Sequence, residues 1–186
     1  MVPLAIRSGG REAGWRGQSA VFFLPKKEIE RIHRLLPEVK ILICLRNPVD
    51  WCWSFARMTV YGQRDPDKVS DPEVIEFIEE KAANCQYVPA LKRWLNCFPT
   101  GNVYVGSYDN LCTAPNRMYR DVCRFLGISI PEELEESQPE LSKRINKGRT
   151  LKLKPEFADL IARRWADDMR NLETIYPEIG KNWERS

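Results

Sequence analysis

The sequence predicts an α/β fold, a parallel sheet flanked by helices, on three observations. Strand-like and helix-like segments alternate along most of its 186 residues. Residues 40–45, "KILICL", form a continuous apolar run of strand length, which is typical of a parallel strand covered on both faces. Residues 102–108, "NVYVGSY", form a second strand-like run. Helical segments between and after these runs supply the layers that would cover such a sheet.

The N-terminal part predicts an irregular segment, a short strand and a helix. Residues 1–18 are rich in Gly and Arg and show no periodicity. Residues 19–24, "SAVFFL", are consistent with a short strand. Residues 25–37, "PKKEIERIHRLLP", predict a helix, because the apolar residues share one face and the two prolines suit its first turn and its end.

A strong helix start follows the first apolar run. Asn47 is a good N-cap and Pro48 a good first helical residue, so we expect a helix from there to about Met58. The loop at 61–71 comes next.

The remaining chain predicts further helices and two loops. Gly127 is a C-cap signal at the end of one helix. The acidic residues 131–141 and the basic residues 145–150 read as loops. The expected helices span residues 73–83, 87–98, 115–126 and a long segment from near Pro155. Without internal repeats or a domain boundary, residues 1–186 are interpreted as one domain.

Composition restricts the class of protein. The chain is 43% hydrophobic and 30% charged, as in a soluble globular domain with a sizeable core. Its net charge of +3 is too weak to predict a nucleic-acid partner but is compatible with a small polyanionic ligand. No apolar run approaches the ~18 residues of a membrane span, and the N-terminus lacks the apolar core of a signal peptide. Compartment and oligomeric state stay open.

Cysteine and histidine usage disfavours a metal site. The six cysteines contain no C-x-x-C pair, and His33 is the single histidine. Cys44 falls in the strand-like run and Cys123 on an apolar helix face, so we interpret the cysteines as buried free thiols. A disulfide among the others stays open. His33 lies beside the apolar face of its helix and is interpreted as structural.

The first candidate site lies where the apolar run 40–45 ends at Arg46. Ligands of parallel sheets bind beyond the carboxyl ends of the strands. Seven residues at ~100° each make nearly two helical turns, which places Ser54 on the same helix face as Asn47. A guanidinium, a hydroxyl and a helix start together suit a phosphate group. In the alternative, Arg46 pairs with Asp50 or another surface acid and Ser54 has no role; geometry alone leaves both open.

The second candidate site is the segment "NKGRT", residues 146–150. Gly148 would let the backbone approach a ligand closely, while Lys147 and Arg149 supply charge and Thr150 a hydroxyl. Alone it would be an ordinary exposed basic loop. Beside Arg46 and Ser54, it is interpreted as the second half of a clamp on a nucleotide phosphate.

These residues carry a resemblance to a known family. Residues 36–55, "LPEVKILICLRNPVDWCWSF", strongly resemble the 3′-phosphate-binding strand and helix of sulfotransferases that use 3′-phosphoadenosine 5′-phosphosulfate (PAPS). In that family an arginine ends the strand and a serine follows eight positions later, as Arg46 and Ser54 do here. The resemblance implies a P-loop-nucleotide-kinase-like sulfotransferase fold.

Further stretches support this resemblance. Residues 87–111 and 118–128 resemble the middle of the family, with Asp109 in place of the usual glutamate of its "YE-x-L" turn. Residues 146–150 resemble the Lys-Gly-Arg loop of the carbohydrate branch, which includes heparan sulfate enzymes, and the C-terminus with Trp183 resembles the ending of that branch.

The resemblance implies roles and a reaction. It implies PAPS as co-substrate, no metal, and transfer of a sulfuryl group to a hydroxyl or amine of a carbohydrate-like or small-molecule acceptor. It implies the cytoplasm for a bacterial protein and the Golgi lumen for a eukaryotic one. By this resemblance, Arg46 and Ser54 would hold the 3′-phosphate. The loop that closes over the nucleotide would consist of Lys147, Gly148, Arg149 and Thr150.

The N-terminus departs from the family pattern. The family begins with a strand and a P-loop-like segment whose lysine assists the leaving group, and residues 1–24 show neither. Gly17 and Gln18 occupy the positions of the glutamate and lysine in the family's "E-K-S-A/P" stretch. The catalytic base therefore stays unassigned, and the domain is interpreted as N-terminally incomplete. One alternative is a catalytically inactive relative that binds PAPS or 3′-phosphoadenosine 5′-phosphate (PAP). The other is a kinase-like fragment, which would need a "GxxxxGK[ST]" motif that this sequence lacks.

Overall fold

The computed structural model describes residues 21–130, 150–180 and 183, and within them a two-stranded parallel sheet is surrounded by helices. The strands are β1 (Ile41–Leu45) and β2 (Val103–Ser107). The helices are α1 (Lys26–Leu35), α2 (Pro48–Ala56), α3 (Asp71–Asn84), α4 (Tyr87–Cys97), α5 (Tyr108–Thr113), α6 (Pro115–Leu126), α7 (Pro155–Ile175) and α8 (Pro177–Gly180). The predicted α/β class with a parallel sheet is confirmed.

The two strands run parallel in register from one end to the other. Ile41 pairs with Val103 and Leu45 pairs with Ser107, so both strands end at the same level. On β1, Ile43 and Leu45 are buried, whereas the alternate side chains of Leu42 and Cys44 are exposed. The expectation of a strand covered on both faces is therefore wrong for the described residues. The apolar run reflects one covered face and one face that the described helices leave open.

Helix α7 joins two buried clusters. Leu172 packs in the cluster that covers β1, together with Leu91 of α4 and side chains of α1. Trp165 packs in a second cluster with Ile78 of α3 and side chains of α2. Met169, between them on α7, contacts both clusters. Burial of each such large side chain contributes about 1.5–3 kcal/mol, so α7 holds the sheet layer and the α2–α3 layer together.

Asp168 of α7 caps the start of α4, although the two lie about 80 positions apart in the sequence. Its carboxylate accepts hydrogen bonds from the backbone N–H groups of Tyr87, at 2.5 Å, and Val88, at 3.0 Å. These are donors that a helix start leaves without an intrahelical partner. Burial raises the pKa of the Asp168 carboxyl above 3.8, against the opposing effect of these two hydrogen bonds.

Local signals placed the helix ends correctly. Asn47 is the N-cap of α2, its Oδ1 accepts from the backbone N–H of Val49 at 2.9 Å, and Pro48 opens the helix. Regular geometry ends at Ala56, and a π-helical segment, Arg57–Tyr61, continues α2. Gly127 ends α6 with a φ of 69°, in the left-handed region that glycine favours.

The strand predicted at 19–24 is wrong over its described part. Residues 21–22 are helical, because the carbonyl groups of this segment bind side chains of α4 instead of a neighbouring strand. Trp94 Nε1 donates to the Phe22 carbonyl at 2.9 Å, and Arg93 Nε donates to the Leu24 carbonyl at 2.9 Å.

Some sequence predictions lie outside the described residues. These are the irregular segment 1–18, the acidic loop 131–141 and most of the basic loop 145–150. The interpretation of residues 1–186 as one domain stays a prediction. None of the helices in the described ranges combines the length and apolarity that would let it cross a membrane.

Asp168 predicts a pH-dependent stability. Because burial raises the pKa of Asp168 above its ordinary value of 3.8, the folded protein binds this proton more tightly than the unfolded chain. The stability that this proton contributes is therefore lost as the pH rises from the ordinary pKa through the raised pKa of the folded state. Asp168→Asn lacks this ionisation. The free energy of unfolding of the wild type relative to Asp168→Asn should therefore decrease as the pH rises towards neutral, measured by urea denaturation.

The control variant for this series is Asp159→Asn, an exposed aspartate on the same helix. Its stability curve should run parallel to that of the wild type. A difference between wild type and Asp168→Asn that is constant, or that grows with pH, would contradict this assignment.

Candidate functional site

Because β1 and β2 end at the same level, the four residues that follow them lie close together. Arg46 and Asn47 follow β1, while Tyr108 and Asp109 follow β2, directly beyond the last strand pair. This is the carboxyl edge of the parallel sheet, where such sheets place their ligands. Arg46, the first residue predicted for the site from the sequence, lies at this edge.

Arg46 is partly buried at this edge and lies over an aromatic ring. Its guanidinium carbon is 4.8 Å from the centroid of the Tyr108 ring, a cation–π contact, and its side chain is 22% exposed. Its Nε is buried and finds no hydrogen-bond acceptor among the described residues. A buried donor without an acceptor is costly, so the site favours a ligand that supplies one.

Asp50, the alternative partner considered for Arg46, makes a loose ion pair with it. Arg46 Nη2 lies 3.6 Å from Asp50 Oδ2, beyond hydrogen-bond range, and the Asp50 side chain is 55% exposed. Exposed pairs of this kind contribute about 0–1 kcal/mol. The contact leaves the Arg46 guanidinium able to bind an anion.

Tyr87, at the start of α4, fixes the backbone of Arg46. Its hydroxyl donates to the Arg46 carbonyl at 3.0 Å, and the residue is 3% exposed. Burial holds the pKa of the Tyr87 hydroxyl well above its usual value, so at neutral pH it stays a protonated donor. The hydroxyl of Tyr87 thereby ties α4 to the end of β1. No local sequence motif around Tyr87 predicts this contact.

Trp183 connects the two strand ends. Its Nε1 donates to Asp109 Oδ2 at 2.6 Å, and its backbone carbonyl accepts from Asn47 Nδ2 at 3.4 Å. Ser107, the last residue of β2, accepts from the Asp109 backbone N–H at 3.1 Å and caps α5. Trp183, Asn47 and Ser107 are all buried.

A cavity of about 730 Å³ extends along β1 from Lys40 to Arg46. Its size lies within the ~300–1,000 Å³ of ordinary ligand pockets. Its walls are mainly apolar, with a guanidinium at the end formed by Arg46. This arrangement suits a molecule that combines a planar ring with an anionic group. The aromatic residues that line it are Phe22, Phe23, Trp51, Tyr87, Trp94 and Tyr108.

Ser54 lies on α2, half-buried, almost two turns after the N-cap Asn47. No hydrogen bond joins Ser54 to Arg46 within the described part of the chain. Joint binding of a phosphate by these two residues therefore stays a prediction.

The described chain resumes at Thr150, the last residue of the predicted basic loop, and passes beside α2. Lys147, Gly148 and Arg149 lie outside the described residues, and Thr150 is exposed. The carbonyl of the next residue, Leu151, accepts from Trp53 Nε1 at 3.1 Å. The chain that leaves the loop is thus attached to the helix that carries Ser54.

The surroundings of His33 fit its interpretation as a structural residue, and the described cysteines form no disulfide. His33 packs edge-on against the Phe98 ring, with centroids 4.8 Å apart. The cysteine thiols are free; Cys52 and Cys123 are buried, whereas Cys44 is exposed, so its predicted burial is wrong. Over residues 21–130, 150–180 and 183, no group of three or more His, Cys, Asp or Glu residues could hold a metal ion.

Comparison with known proteins finds a matching family model and similar solved structures. The family model described as "Sulfotransferase domain" matches residues 28–182, most of the chain. Among solved structures, the chain resembles the crystal structure of a sulfotransferase from Alicyclobacillus acidocaldarius, with a TM-score of 0.68 and 24% sequence identity over 92% of this chain and 70% of that one. At this identity the structural match shows a common fold.

Proposed function

The chain belongs to the sulfotransferase domain family, whose activity is the transfer of a sulfuryl group, and we propose that its donor is PAPS. We also propose that the acceptor is a hydroxyl or amine of a carbohydrate-like or other small molecule. The family generally uses PAPS. The resemblance of residues 36–55 to a 3′-phosphate-binding segment supports the donor, and the resemblance of residues 146–150 to a Lys-Gly-Arg loop supports the carbohydrate branch.

The observation that carries this proposal is the state of the Arg46 guanidinium. It lies at the carboxyl edge of the sheet beside the cavity, its Nε is buried without an acceptor among the described residues, and its ion pair with Asp50 is loose. A phosphate oxygen would supply the missing acceptor, and a second oxygen would bind the adjacent guanidinium nitrogen in the bidentate geometry that arginine favours. The 3′-phosphate of PAPS is the proposed ligand of this group.

Ser54 and the basic loop complete the proposed donor site. Ser54 would give a hydroxyl to the same phosphate. The attachment of Leu151 to Trp53 supports this proposal, because it holds the residue that follows the loop against the helix that carries Ser54. The proposed nucleotide contacts are Lys147, Gly148, Arg149 and Thr150.

The proposed reaction is an in-line displacement at sulfur. The acceptor oxygen or nitrogen forms a bond to sulfur as the bond between sulfur and the 5′-phosphate oxygen breaks. The electron pair of that bond leaves with 3′-phosphoadenosine 5′-phosphate (PAP), and the acceptor proton passes to a base. Cations near the nucleotide would stabilise the charge that develops on the leaving phosphate. The base is unassigned.

A second candidate function is nucleotide binding without transfer. It is favoured by Gly17 and Gln18, which stand where the family resemblance places a glutamate and a lysine. A relative of this kind would keep the Arg46 contact with the 3′-phosphate and lack the groups that perform the displacement.

The donor proposal predicts selective binding of a 3′-phosphate. Wild-type protein should bind PAP more tightly than AMP, which lacks that group. Arg46→Ala should weaken PAP binding by roughly 10- to 100-fold, the loss of a charge-assisted phosphate contact, and leave AMP binding almost unchanged. Isothermal titration calorimetry with both nucleotides measures this.

Arg124→Ala is the matched control, because Arg124 is exposed and forms an ion pair with Asp121, three positions before it. It should bind both nucleotides as the wild type does. Equal affinities of the wild type for PAP and AMP, or an unaffected Arg46→Ala variant, would reject the proposed donor site.

Turnover tests the binding-only candidate in one direction: robust transfer by this chain would exclude it, whereas weak transfer fits both candidate functions. We expect the 186-residue chain to transfer sulfate poorly or not at all, because Gly17 and Gln18 replace the groups that the resemblance would use in catalysis. The measurement is the transfer of labelled sulfate from PAPS to a panel of glycans and phenols, with PAP binding by the same preparation as proof of folding. Robust transfer would exclude the binding-only candidate.

A further inference from the structure

We propose that Trp183 is a positioning residue that keeps the Arg46 guanidinium available for a phosphate by holding the carboxylate of Asp109 away from it. This inference rests on the proposed function, in which Arg46 binds the 3′-phosphate of the donor.

Trp183 is linked to the neighbour of each member of the Arg46–Tyr108 stack. Its indole N–H binds Asp109, the residue after Tyr108, at 2.6 Å. Its carbonyl binds the side chain of Asn47, the residue after Arg46, at 3.4 Å. One residue near the C-terminus thus joins the ends of β1 and β2, at the edge where the stack forms.

A third link runs through a ring contact. The Trp183 ring meets the Tyr87 ring edge-on, with centroids 6.4 Å apart, and Tyr87 donates to the Arg46 carbonyl. Trp183 is 4% exposed, so its contacts are shielded from water. In such surroundings a hydrogen bond to a carboxylate is stronger than at the surface.

Besides Asp50, Asp109 is a carboxylate that could compete with a ligand for Arg46. It directly follows Tyr108, whose ring lies under the guanidinium. Its Oδ2 accepts instead from two neutral donors, Trp183 Nε1 at 2.6 Å and Ser107 Oγ at 3.4 Å. Arg46 and Asp109 are both within the described chain and form no ion pair there. The neutral donors satisfy the Asp109 carboxylate without using the charge of Arg46.

The test removes the indole N–H and keeps an aromatic ring. Trp183→Phe should weaken PAP binding by about tenfold, because the freed carboxylate of Asp109 competes with the phosphate for Arg46, and should leave AMP binding unchanged. The double variant Trp183→Phe/Asp109→Asn should recover most of the lost affinity. Trp165→Phe, which also loses a buried indole N–H bond, to the Cys85 carbonyl, is the matched control and should keep wild-type binding.

Asp109→Asn alone provides a second test that does not need Trp183→Phe to fold. It should bind PAP within about twofold of the wild type, because it carries no competing charge. If Asp109→Asn loses as much affinity as Trp183→Phe, or if the double variant recovers nothing, the inference is overturned. It is also overturned if both tryptophan variants lose PAP and AMP binding equally. Failure of Arg46→Ala to weaken PAP binding would instead reject the proposed function.

Discussion

The parallel pairing of β1 with β2 is the constraint on which the rest of the site depends. Because Leu45 is opposite Ser107, both strands end at one level and the residues that follow them meet. That register sets Arg46 over the ring of Tyr108 and brings both strand ends within reach of Trp183. A slip of one residue would turn every side chain of a strand to its other face and separate these groups.

Much of the fold could be predicted because its signals are local. Asn47, Pro48 and Gly127 act on the helix turn beside them, so their sequence context was sufficient. The errors arose where distant partners decide. The carbonyl groups of Phe22 and Leu24 bind side chains of α4, about 70 residues away, which removes the predicted strand. The open face of β1 likewise depends on which elements pack on the sheet, and composition alone does not show this.

The same difference between local and distant signals applies to the candidate site. The position of Arg46 at a strand end could be predicted because this residue interrupts an apolar run, which is a local pattern. Its supporting residues gave no such signal, since Tyr87 lies 41 positions from Arg46 and Trp183 lies 136 positions from Asn47. Asp168 reaches the start of α4 across 81 positions and completes a path from α7 through Tyr87 to Arg46. The family resemblance includes Trp183, but it does not predict the contacts of this residue.

The central claim is that the buried Nε–H of Arg46 donates to the 3′-phosphate of the donor nucleotide. The most direct measurement is the ¹H–¹⁵N NMR signal of this arginine group, assigned by its loss in Arg46→Lys, during titration with PAP and with AMP. The account predicts that PAP shifts the Arg46 signal strongly downfield, as a new charge-assisted hydrogen bond requires, and that AMP does not. A signal that stays in place while PAP binds would contradict it.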